Sequence, residues 1–599
     1  MLWYQRVDLG GGGLTVGCNG PPHVLQNAAS GVTAFPHAGH VRWGSTTLMV
    51  PHCTPPPPSF QHLPVSGHAH PVQAERHPAP CRGGASLLWA VLVVLVGIGV
   101  YHNSFSGQFL FDDYSCIVDN PSIRTLWPLR VTLSAPPETA LAGRPVVALS
   151  LAVNYALGRL DVRGYHVVNL TLHLVSALLV LGIVRRTLLS PCLVSRYGPE
   201  ASWLALAVAL VWMTHPLLTE SVTYLIQRTE LFMAFFFLLT LYSVIRGAGS
   251  PSPATWCTVA VVSCALGMAS KEVMVVAPLL VLLYDRVFLS GSVREAFRKR
   301  LWLYGGLSLT WVVLVALMTT GPRTTTAGFG VQGLTPWDYA VTQLGVILHY
   351  LRLAFWPYPL VVDYSDWPIA KSLAGVAPAA GVIGTLVIAT CWAIRRWPPV
   401  GFLGAWFFAT LAPTSSILPI VTEVAAERRM YLPLCAAVVL VVMGAWEFLR
   451  RVGWQDSFRR RFVAGLVIVL VGVLGGVTVK RNAVYRSEVA ILREVIAARP
   501  KNARAHYNLG IALAEQGQRA EAIAHLREAL RWDPQYAEAH GNLSLLLAQQ
   551  GQREEAVVHY TEALRLNPSL SMPSARPSAS RTEPPSLVHA APSERGTDE

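Results

Sequence analysis

The sequence predicts an all-α protein, a polytopic helical bundle of about eleven membrane spans followed by a short α-solenoid. The chain has 599 residues, of which 52% are hydrophobic and 14% charged, whereas soluble proteins carry about 25% charged residues. Apolar stretches recur between residues 86 and 479, several of them close to the roughly 20 residues that a membrane helix needs. A 34-residue repeat follows them. This composition excludes a cytosolic enzyme, a disulfide scaffold and a disordered regulator.

Residues 1–84 are rich in Gly, Pro and His and show neither a helical nor a strand period. We predict a disordered N-terminal extension. Eight of the 18 histidines lie here, so a metal-binding tail is an alternative, as is an over-long gene model whose true start lies nearer Gly83. No signal peptide begins at residue 1.

Eleven apolar segments are long enough to suggest membrane spans. They are 86–101, 166–184, 201–217, 225–245, 254–270, 273–290, 301–320, 373–394, 400–418, 431–449 and 462–479. The stretch 339–356 is ambiguous, because it contains Gln343, His349 and Arg352. Placing every large basic cluster in the cytoplasm, as the positive-inside rule requires, leaves 339–356 as an interfacial or re-entrant helix. The N-terminus then lies in the cytoplasm and the C-terminus outside.

The net charge of +13 lies almost entirely in the predicted membrane domain, residues 85–482. Residues 85–484 hold 30 basic and 18 acidic side chains. By the predicted topology, the cytoplasmic loops hold 16 basic and 5 acidic residues, and the outer face holds 14 basic and 13 acidic residues. The excess is therefore a membrane-insertion signal, and no nucleic-acid partner is expected. The acids lie mostly on the outer face, where chemistry on a charged substrate would need them.

A repeat domain is predicted over residues 483–568. Segments 503–534 and 537–568 are identical at 19 of 32 aligned positions, with an offset of 34 residues. Leu509, Gly510, Ala522, Ala529 and Pro534 fit the tetratricopeptide pattern. Residues 485–500 resemble the second helix of a degenerate preceding repeat, and we expect this helix to connect the array to the last span. Residues 569–599 form a Pro- and Ser-rich tail that we predict to be disordered.

Adjacent carboxylates follow the first span in the segment FDDY, at Asp112 and Asp113. One carboxylate can accept a proton from an attacking hydroxyl while the other holds a cation or orients the first. The alternative is a solvated turn, in which Asp pairs are common.

Three further outer loops place polar residues at the same membrane surface. Ionisable groups beside spans tend to mark function, and Arg suits bidentate phosphate contacts; helix capping and interfacial anchoring are the structural alternatives. The candidate substrate-binding residues are His215, Glu220, Arg228, Lys271, Glu272, Glu427 and Arg428. The sequence has no Walker loop, Rossmann fingerprint, GxSxG, CxxC or HExxH motif.

These segments together resemble a known family. FDDY at 111–114, GRPVV at 143–147, HPLLTESVTYLIQR at 215–228, ASKE at 269–272, AERRMYLP at 426–433 and the repeats are similar to the transmembrane and tetratricopeptide-repeat O-mannosyltransferases and their bacterial relatives, within the glycosyltransferase C superfamily. The resemblance implies a glycosyltransferase C-like bundle that takes a sugar, mannose or another hexose, from a polyprenyl-phosphate carrier. It implies that Asp112 and Asp113 form the acidic site, one being the general base. Arg228, Lys271 or Arg428 would then stabilise the departing phosphate, with His215, Glu220 and Glu427 in support.

The expected function is therefore transfer of a sugar from a lipid-linked donor to a protein hydroxyl or another acceptor, with the repeats binding the acceptor or a partner. No cofactor is certain, and the metal requirement is unknown. We expect a multi-pass protein of the bacterial inner membrane with periplasmic repeats, or of the endoplasmic reticulum with lumenal repeats in a eukaryote. A non-catalytic membrane-anchored repeat scaffold is the alternative, although such a scaffold would need one span rather than eleven. A lipid-linked sugar flippase would need charges nearer mid-membrane.

Overall fold

The computed structural model describes residues 83–136, 139–320, 334–417, 419–420 and 422–570. Throughout these residues the regular structure is helical, in agreement with the predicted fold class. Nearly all of the predicted N-terminal extension and of the C-terminal tail lies outside the described residues.

The membrane part of the described chain contains sixteen α-helices. They are α1 (Gly83–Tyr101), α2 (Leu129–Leu133), α3 (Pro145–Gly158), α4 (Val162–Leu188), α5 (Val194–Tyr197), α6 (Ala201–Met213), α7 (Thr219–Thr223), α8 (Arg228–Ala248), α9 (Pro253–Met268), α10 (Ala277–Tyr284), α11 (Val293–Thr320), α12 (Pro336–Phe355), α13 (Ala377–Arg396), α14 (Pro398–Ala412), α15 (Pro433–Arg451) and α16 (Asp456–Val484). Single turns of 3-10 or π-helix lie at His102–Ser106, Tyr114–Val118, Pro121–Ile123, Gly198–Glu200, Pro216–Leu218, Leu225–Gln227, Glu272–Val276, Asp285–Leu289, Leu373–Val376, Pro413–Ile417 and Glu427–Met430.

Seven of the described helices are long and apolar enough to cross a membrane: α1, α4, α8, α11, α13, α15 and α16. An eighth candidate is the pair formed by α5–α6 and α7, which is bent by 56° at His215. The other three predicted spans are helical but shorter or interrupted. Helix α9, in the segment 254–270, has only 16 residues. A proline near the start of α10 interrupts the segment 273–290. A proline at the start of the turn after α14 interrupts the segment 400–418. Within the described residues the structure therefore supports seven or eight spans by length and composition, fewer than the eleven predicted.

Helix α12, the ambiguous stretch 339–356, is not among the candidate spans of the described chain. Its polar side chains contact protein groups. The Gln343 amide donates to the carbonyl of Val424 at 2.9 Å, and the Tyr339 hydroxyl donates to the carbonyl of Thr414 at 2.5 Å. Helix α12 therefore lies against the loop that precedes α15.

The bundle packs around α4, which contacts α1, α6 and α8. Helices α13 and α14 approach so closely that a Cβ atom at Gly401 would lie 2.3 Å from the backbone nitrogen of Ile394. Only glycine fits there without moving the backbone. Large apolar side chains on α11, α13 and α16, such as Leu309, Ile388 and Ile468, are exposed, as expected for helices that face lipid.

The repeat domain comprises α17 (Glu488–Ala498), α18 (Ala503–Glu515), α19 (Arg519–Trp532), α20 (Ala537–Gln549) and α21 (Arg553–Leu566). Helices α18 and α19 form one antiparallel pair, α20 and α21 form the next, and α17 packs on α18. A Cβ atom at Gly510 would lie 2.9 Å from Cγ of Leu526, so this small residue allows the close helix contact that the repeat pattern requires.

Candidate active site

Asp113 holds the first loop in place. One carboxylate oxygen accepts a hydrogen bond from the backbone N–H of Leu110 at 2.9 Å, and the other accepts from the N–H of Ile226 at 2.8 Å. The side chain is fully buried. Since both oxygens are engaged by backbone donors on two loops, this carboxylate fixes the position of the FDDY segment relative to the start of α8.

Asp112 has a different environment. Its backbone N–H donates to the Tyr224 hydroxyl at 2.9 Å, whereas its side-chain Oδ1 is buried and has no hydrogen-bond partner in the described part of the chain. Phe111, just before it, has a φ of 46°, a conformation that costs energy for a bulky residue and is concentrated at functional sites. Of the two predicted catalytic acids, Asp112 is therefore the one whose carboxylate is available for chemistry.

Burial raises the pKa of Asp112 to about 6, and the carboxylate of Glu423 adds to this effect. The cations Arg428 and Arg504 oppose it. A carboxylate with this pKa is ionised at neutral pH and is a stronger base than an ordinary aspartate, as a general base requires.

The second loop supplies Glu220 to the same cluster. Its Oε1 accepts from the Arg428 guanidinium at 2.5 Å, and its Oε2 accepts from the Arg428 backbone N–H at 2.8 Å. His215 instead caps the turn after the bend. Its Nδ1 accepts from the N–H of Leu217 at 3.2 Å, and its Nε2 contacts the carbonyl of Ala354, also at 3.2 Å.

Arg228 is fully buried, and its donors are engaged within the protein. The guanidinium donates to Asn169 Oδ1 at 2.8 Å, to Asn154 Oδ1 at 2.6 Å and to the carbonyl of Tyr165 at 2.9 Å. This arrangement favours a structural role for Arg228 rather than the phosphate contact that the sequence suggested.

The ASKE segment contributes two ion pairs. Lys271 pairs with Glu230, and both side chains are at most 7% exposed. Burial lowers the pKa of Lys271, against the opposing effect of Glu230. Glu272 pairs with Arg144 of the GRPVV segment at 3.0 Å, so these two predicted motifs meet in space.

The last loop places Arg428 between two carboxylates. One guanidinium nitrogen pairs with Glu220, whose side chain is 1% exposed, and another pairs with Glu423, whose side chain is 31% exposed. Glu427 faces another way, because its Oε1 accepts from the N–H of Val361 at 2.6 Å and from the Tyr364 hydroxyl at 2.7 Å. Burial raises the pKa of Glu427 to about 8.

Glu423 marks the point where the loops converge. Burial raises its pKa, but four cations together hold that pKa below the usual value: Arg428, Arg429, Arg504 and Lys271. Three of them come from the loops named in the sequence analysis, and Arg504 comes from helix α18 of the repeats. The structure therefore brings Asp112, Glu220, Lys271 and Arg428 together, whereas His215, Arg228, Glu272 and Glu427 make supporting contacts around them.

Sequence reasoning missed Tyr224 and Arg504. Arg504 donates two hydrogen bonds of 2.7 Å to the carboxylate of Asp363 and one of 3.0 Å to the carbonyl of Thr422, beside Glu423. The sequence contained one indication that Arg504 has a special role. Position 504 is Arg in the first repeat, whereas the aligned position 538 is Glu in the second. Among the described residues there is no group of three or more His, Cys, Asp or Glu side chains that could hold a metal ion.

Comparison with known proteins identifies homologues of this chain. A tetratricopeptide-repeat family model matches residues 489–541 and 513–569. Protein O-mannosyl-transferase TMTC4 of Homo sapiens is 26% identical over 499 residues, which cover 73% of this chain and 65% of that protein. The chain is a homologue of the transmembrane and tetratricopeptide-repeat O-mannosyltransferases. The family relationship that the motifs predicted is thereby confirmed.

Two further similarities also cover about three quarters of this chain. Protein O-mannosyl-transferase Tmtc3 of Drosophila melanogaster is 26% identical over 530 residues, which cover 76% of this chain and 56% of that protein. The crystal structure of ArnT from Cupriavidus metallidurans bound to undecaprenyl phosphate aligns with 14% identity and a TM-score of 0.38, covering 79% of this chain and 78% of that one. The chain spans 65% or less of the length of these two O-mannosyltransferase relatives.

Proposed function

We propose that this protein is an integral-membrane glycosyltransferase that moves mannose or another hexose from a polyprenyl-phosphate carrier to a hydroxyl group of a protein. The observation that supports this most directly is the buried, unpartnered oxygen of Asp112 beside a cluster of four cations from three separate segments. A lipid-phosphate donor needs both features: a base for the acceptor hydroxyl and positive charge for the departing phosphate.

In the proposed reaction, Asp112 Oδ1 accepts the proton of the acceptor hydroxyl. The hydroxyl oxygen attacks the anomeric carbon of the donor sugar, and the bond between that carbon and the phosphate oxygen breaks. The phosphate leaves with the bonding electron pair, and a neighbouring cation stabilises its charge. Attack from the side opposite the phosphate inverts the anomeric configuration.

Arg428 is the best candidate for the phosphate contact. All three outer cations predicted from the sequence are engaged in the structure, so a phosphate must displace a partner. Glu423 on Arg428 is 31% exposed, whereas Glu230 on Lys271 is 3% exposed. We propose that the donor phosphate replaces Glu423 at the Arg428 guanidinium, while Glu220 keeps this guanidinium in place.

The repeats contact the same end of the bundle as Asp112, through Arg504. We propose that they present the protein acceptor to the site. From the positive-inside pattern we infer that this end faces the periplasm of a bacterium, or the lumen of the endoplasmic reticulum in a eukaryotic cell.

The deciding experiment separates the two acids. Asp112→Asn, Asp113→Asn and Asp119→Asn would be compared in membranes supplied with polyprenyl-phosphate mannose and candidate protein acceptors. Asp119 is exposed in the same loop and serves as the matched control. We expect Asp112→Asn to lose about 10²- to 10⁴-fold in transfer at normal protein levels, and Asp113→Asn to lower the amount of folded protein. Full transfer by the Asp112 variant would refute the assignment of the base, and absence of transfer by the natural protein would favour a non-catalytic scaffold.

A further inference from the structure

A cationic cluster lies on the outer surface of α3, apart from the ion pairs around Asp112. The Arg124 guanidinium lies 4.3 Å from the ring centroid of Tyr155, and the Arg159 guanidinium lies 5.3 Å from it. Arg159 and Arg124 both lower the pKa of the Tyr155 hydroxyl, and Arg159 has the larger effect.

Arg159 is held in place by the fold. It ends α3 with a φ of 53°, a conformation that is unfavourable for a residue with a side chain. The buried Tyr165 donates a hydrogen bond of 2.9 Å to its carbonyl. In the described part of the chain neither Arg124 nor Arg159 forms a salt bridge with a carboxylate, unlike Arg144, Arg428 and Arg504. Two guanidinium groups thus lie beside one aromatic ring and form no ion pair in the described part of the chain, and the Arg124 guanidinium is held by the carbonyls of Ile117 and Val118.

An apolar groove runs beside this cluster between α3 and α4. Its volume is about 310 Å³, and its walls are Val146, Leu149, Val153, Leu157 and Val168. Ser150 and Asn154 also line it, but the Asn154 amide oxygen accepts a hydrogen bond from Arg228 at 2.6 Å. Since Arg228 is fully buried behind these residues, the groove is closed on its inner side.

The position of the groove points to the lipid phase. Helix α4 is a candidate membrane span that begins at Val162, so Arg159 lies three residues before the span, at the depth of the lipid headgroups. Leu157 is 83% exposed and Val167, on the first turns of α4, is 51% exposed. Exposed apolar side chains on both sides of an arginine are typical of an interfacial site, where the cation meets headgroups and the apolar residues meet acyl chains.

We propose that this face binds one anionic phospholipid of the surrounding membrane, with its phosphate on Arg159, Arg124 and the Tyr155 hydroxyl and one acyl chain in the groove between α3 and α4. Charge complementarity selects the occupant, because an uncompensated pair of guanidinium groups favours a lipid with net negative charge over a zwitterionic one. The closed inner side means that the lipid enters from the bilayer. This site does not depend on the proposed transferase activity, since it includes none of the residues around Asp112.

The full chain purified in detergent can be titrated with phosphatidylglycerol and with phosphatidylcholine, with bound lipid counted by native mass spectrometry. We expect preferential retention of phosphatidylglycerol and a roughly fivefold weaker retention in Arg159→Gln. Arg519→Gln, an exposed arginine of the repeats, is the matched control and should bind as the natural protein does. Equal retention of the two lipids, or unchanged retention in Arg159→Gln, would overturn the proposal.

Two further experiments, photocrosslinking and competition, test where the lipid binds and which lipid it is. A phosphatidylglycerol with a photoreactive acyl chain should crosslink to peptides of α3 and α4, and Val153→Trp, which fills the groove, should abolish this crosslink without lowering the Tm. Crosslinks elsewhere would contradict the proposed site. Competition by millimolar inorganic phosphate as effective as that by the lipid itself would indicate a free-phosphate site, and preferential retention of polyprenyl phosphate would indicate the donor; either result would refute the assignment.

Discussion

Arg504, in helix α18 of the repeats, donates two hydrogen bonds of 2.7 Å to the carboxylate of Asp363, in the loop after α12. Arg499 donates a single hydrogen bond of 2.5 Å to Asp366, and Asn502 accepts a hydrogen bond of 2.9 Å from the Ser365 hydroxyl. The repeats are therefore attached to the membrane domain by a polar contact next to the candidate active site. Since Arg504 also lowers the pKa of Asp112 and of Glu423, this contact couples the repeats electrostatically to these two carboxyl groups.

The Asp363–Arg504 pair should make repeat docking sensitive to acid. Burial raises the pKa of Asp363, but the Arg504 cation outweighs it, and the resulting pKa is about 2. A carboxyl whose folded pKa lies below its unfolded value, about 3.9, stabilises the contact above pH 4 and loses this contribution as the pH falls toward 2. The contribution is roughly 2.5 kcal/mol at neutral pH.

Asp363→Asn should release the repeats at neutral pH. We expect faster amide hydrogen exchange in residues 485–504 and 360–366, with unchanged exchange in α20 and α21. Asp533→Asn, in the loop between α19 and α20, is the matched control. If exchange in both segments stays at the level of the natural protein, the docking contact is not important for the position of the repeats.

The activity should rise with pH through about 6. The raised pKa of Asp112 means that the base is protonated and inactive below that pH and ionised above it. The measurement is kcat/KM for transfer between pH 4.5 and 8, since this parameter reports the free enzyme. Arg504→Gln removes one cation that opposes the shift, so the acidic limb should move to a higher pH. A limb near pH 4 in the natural protein would show that Asp112 is not the base.

Arg428→Lys should weaken donor use more than acceptor use. A lysine cannot keep the contact that the guanidinium makes with Glu220 while it binds a phosphate in the place of Glu423. We expect a loss of about 10²- to 10³-fold in kcat/KM for the lipid-linked sugar. The control is Arg429→Lys, because Arg429 bonds to the Tyr339 hydroxyl and to backbone carbonyls. Equal losses in the two variants would indicate a structural effect.

Glu423→Gln tests the displacement of Glu423 by the phosphate. Removing this charge leaves one Arg428 nitrogen without its anionic partner. We therefore expect the KM for the donor to fall and the KM for the acceptor to stay constant. A raised donor KM would mean that Glu423 itself orients the donor or the base.

Glu427 should destabilise the protein at alkaline pH. Burial raises its pKa from 4.5 to about 8, so the folded state holds its proton more tightly than the unfolded state. The resulting stability is fully present below pH 4, falls by roughly 1.4 kcal/mol per pH unit as the pH rises above this, and is lost by pH 8. Glu427→Gln keeps an acceptor for Val361 and Tyr364, so its Tm should change less between pH 6 and 9. Parallel Tm profiles for the two proteins would contradict this.

Some features of the candidate site follow from local sequence and others do not. The FDDY, ASKE and AERR segments each follow an apolar stretch, so the sequence places their residues in loops between helices. Sequence could not distinguish Asp112 from Asp113, because they differ only in the backbone donors that the fold brings near them: the N–H of Ile226 is 113 residues away from Asp113. Likewise, nothing in the sequence shows that Arg228 has Asn154, Tyr165 and Asn169 as partners.

The span count shows a second limit. Average hydropathy identified the long helices correctly, but it cannot register the bend at His215 or the prolines that interrupt α10 and the end of α14. These breaks depend on side-chain capping and on backbone geometry, which act on single residues rather than on an average over about 20.

By itself, the sequence determined that this protein is a helical membrane protein with tetratricopeptide repeats and acids at helix ends, because burial of apolar residues and a 34-residue period are properties of the chain alone. Only the tertiary structure decided which charges meet. Electrostatic energy depends on distance and burial, and the contacts of Asp112 with Tyr224, of Arg428 with Glu220 and of Arg504 with Asp363 join residues more than 100 positions apart.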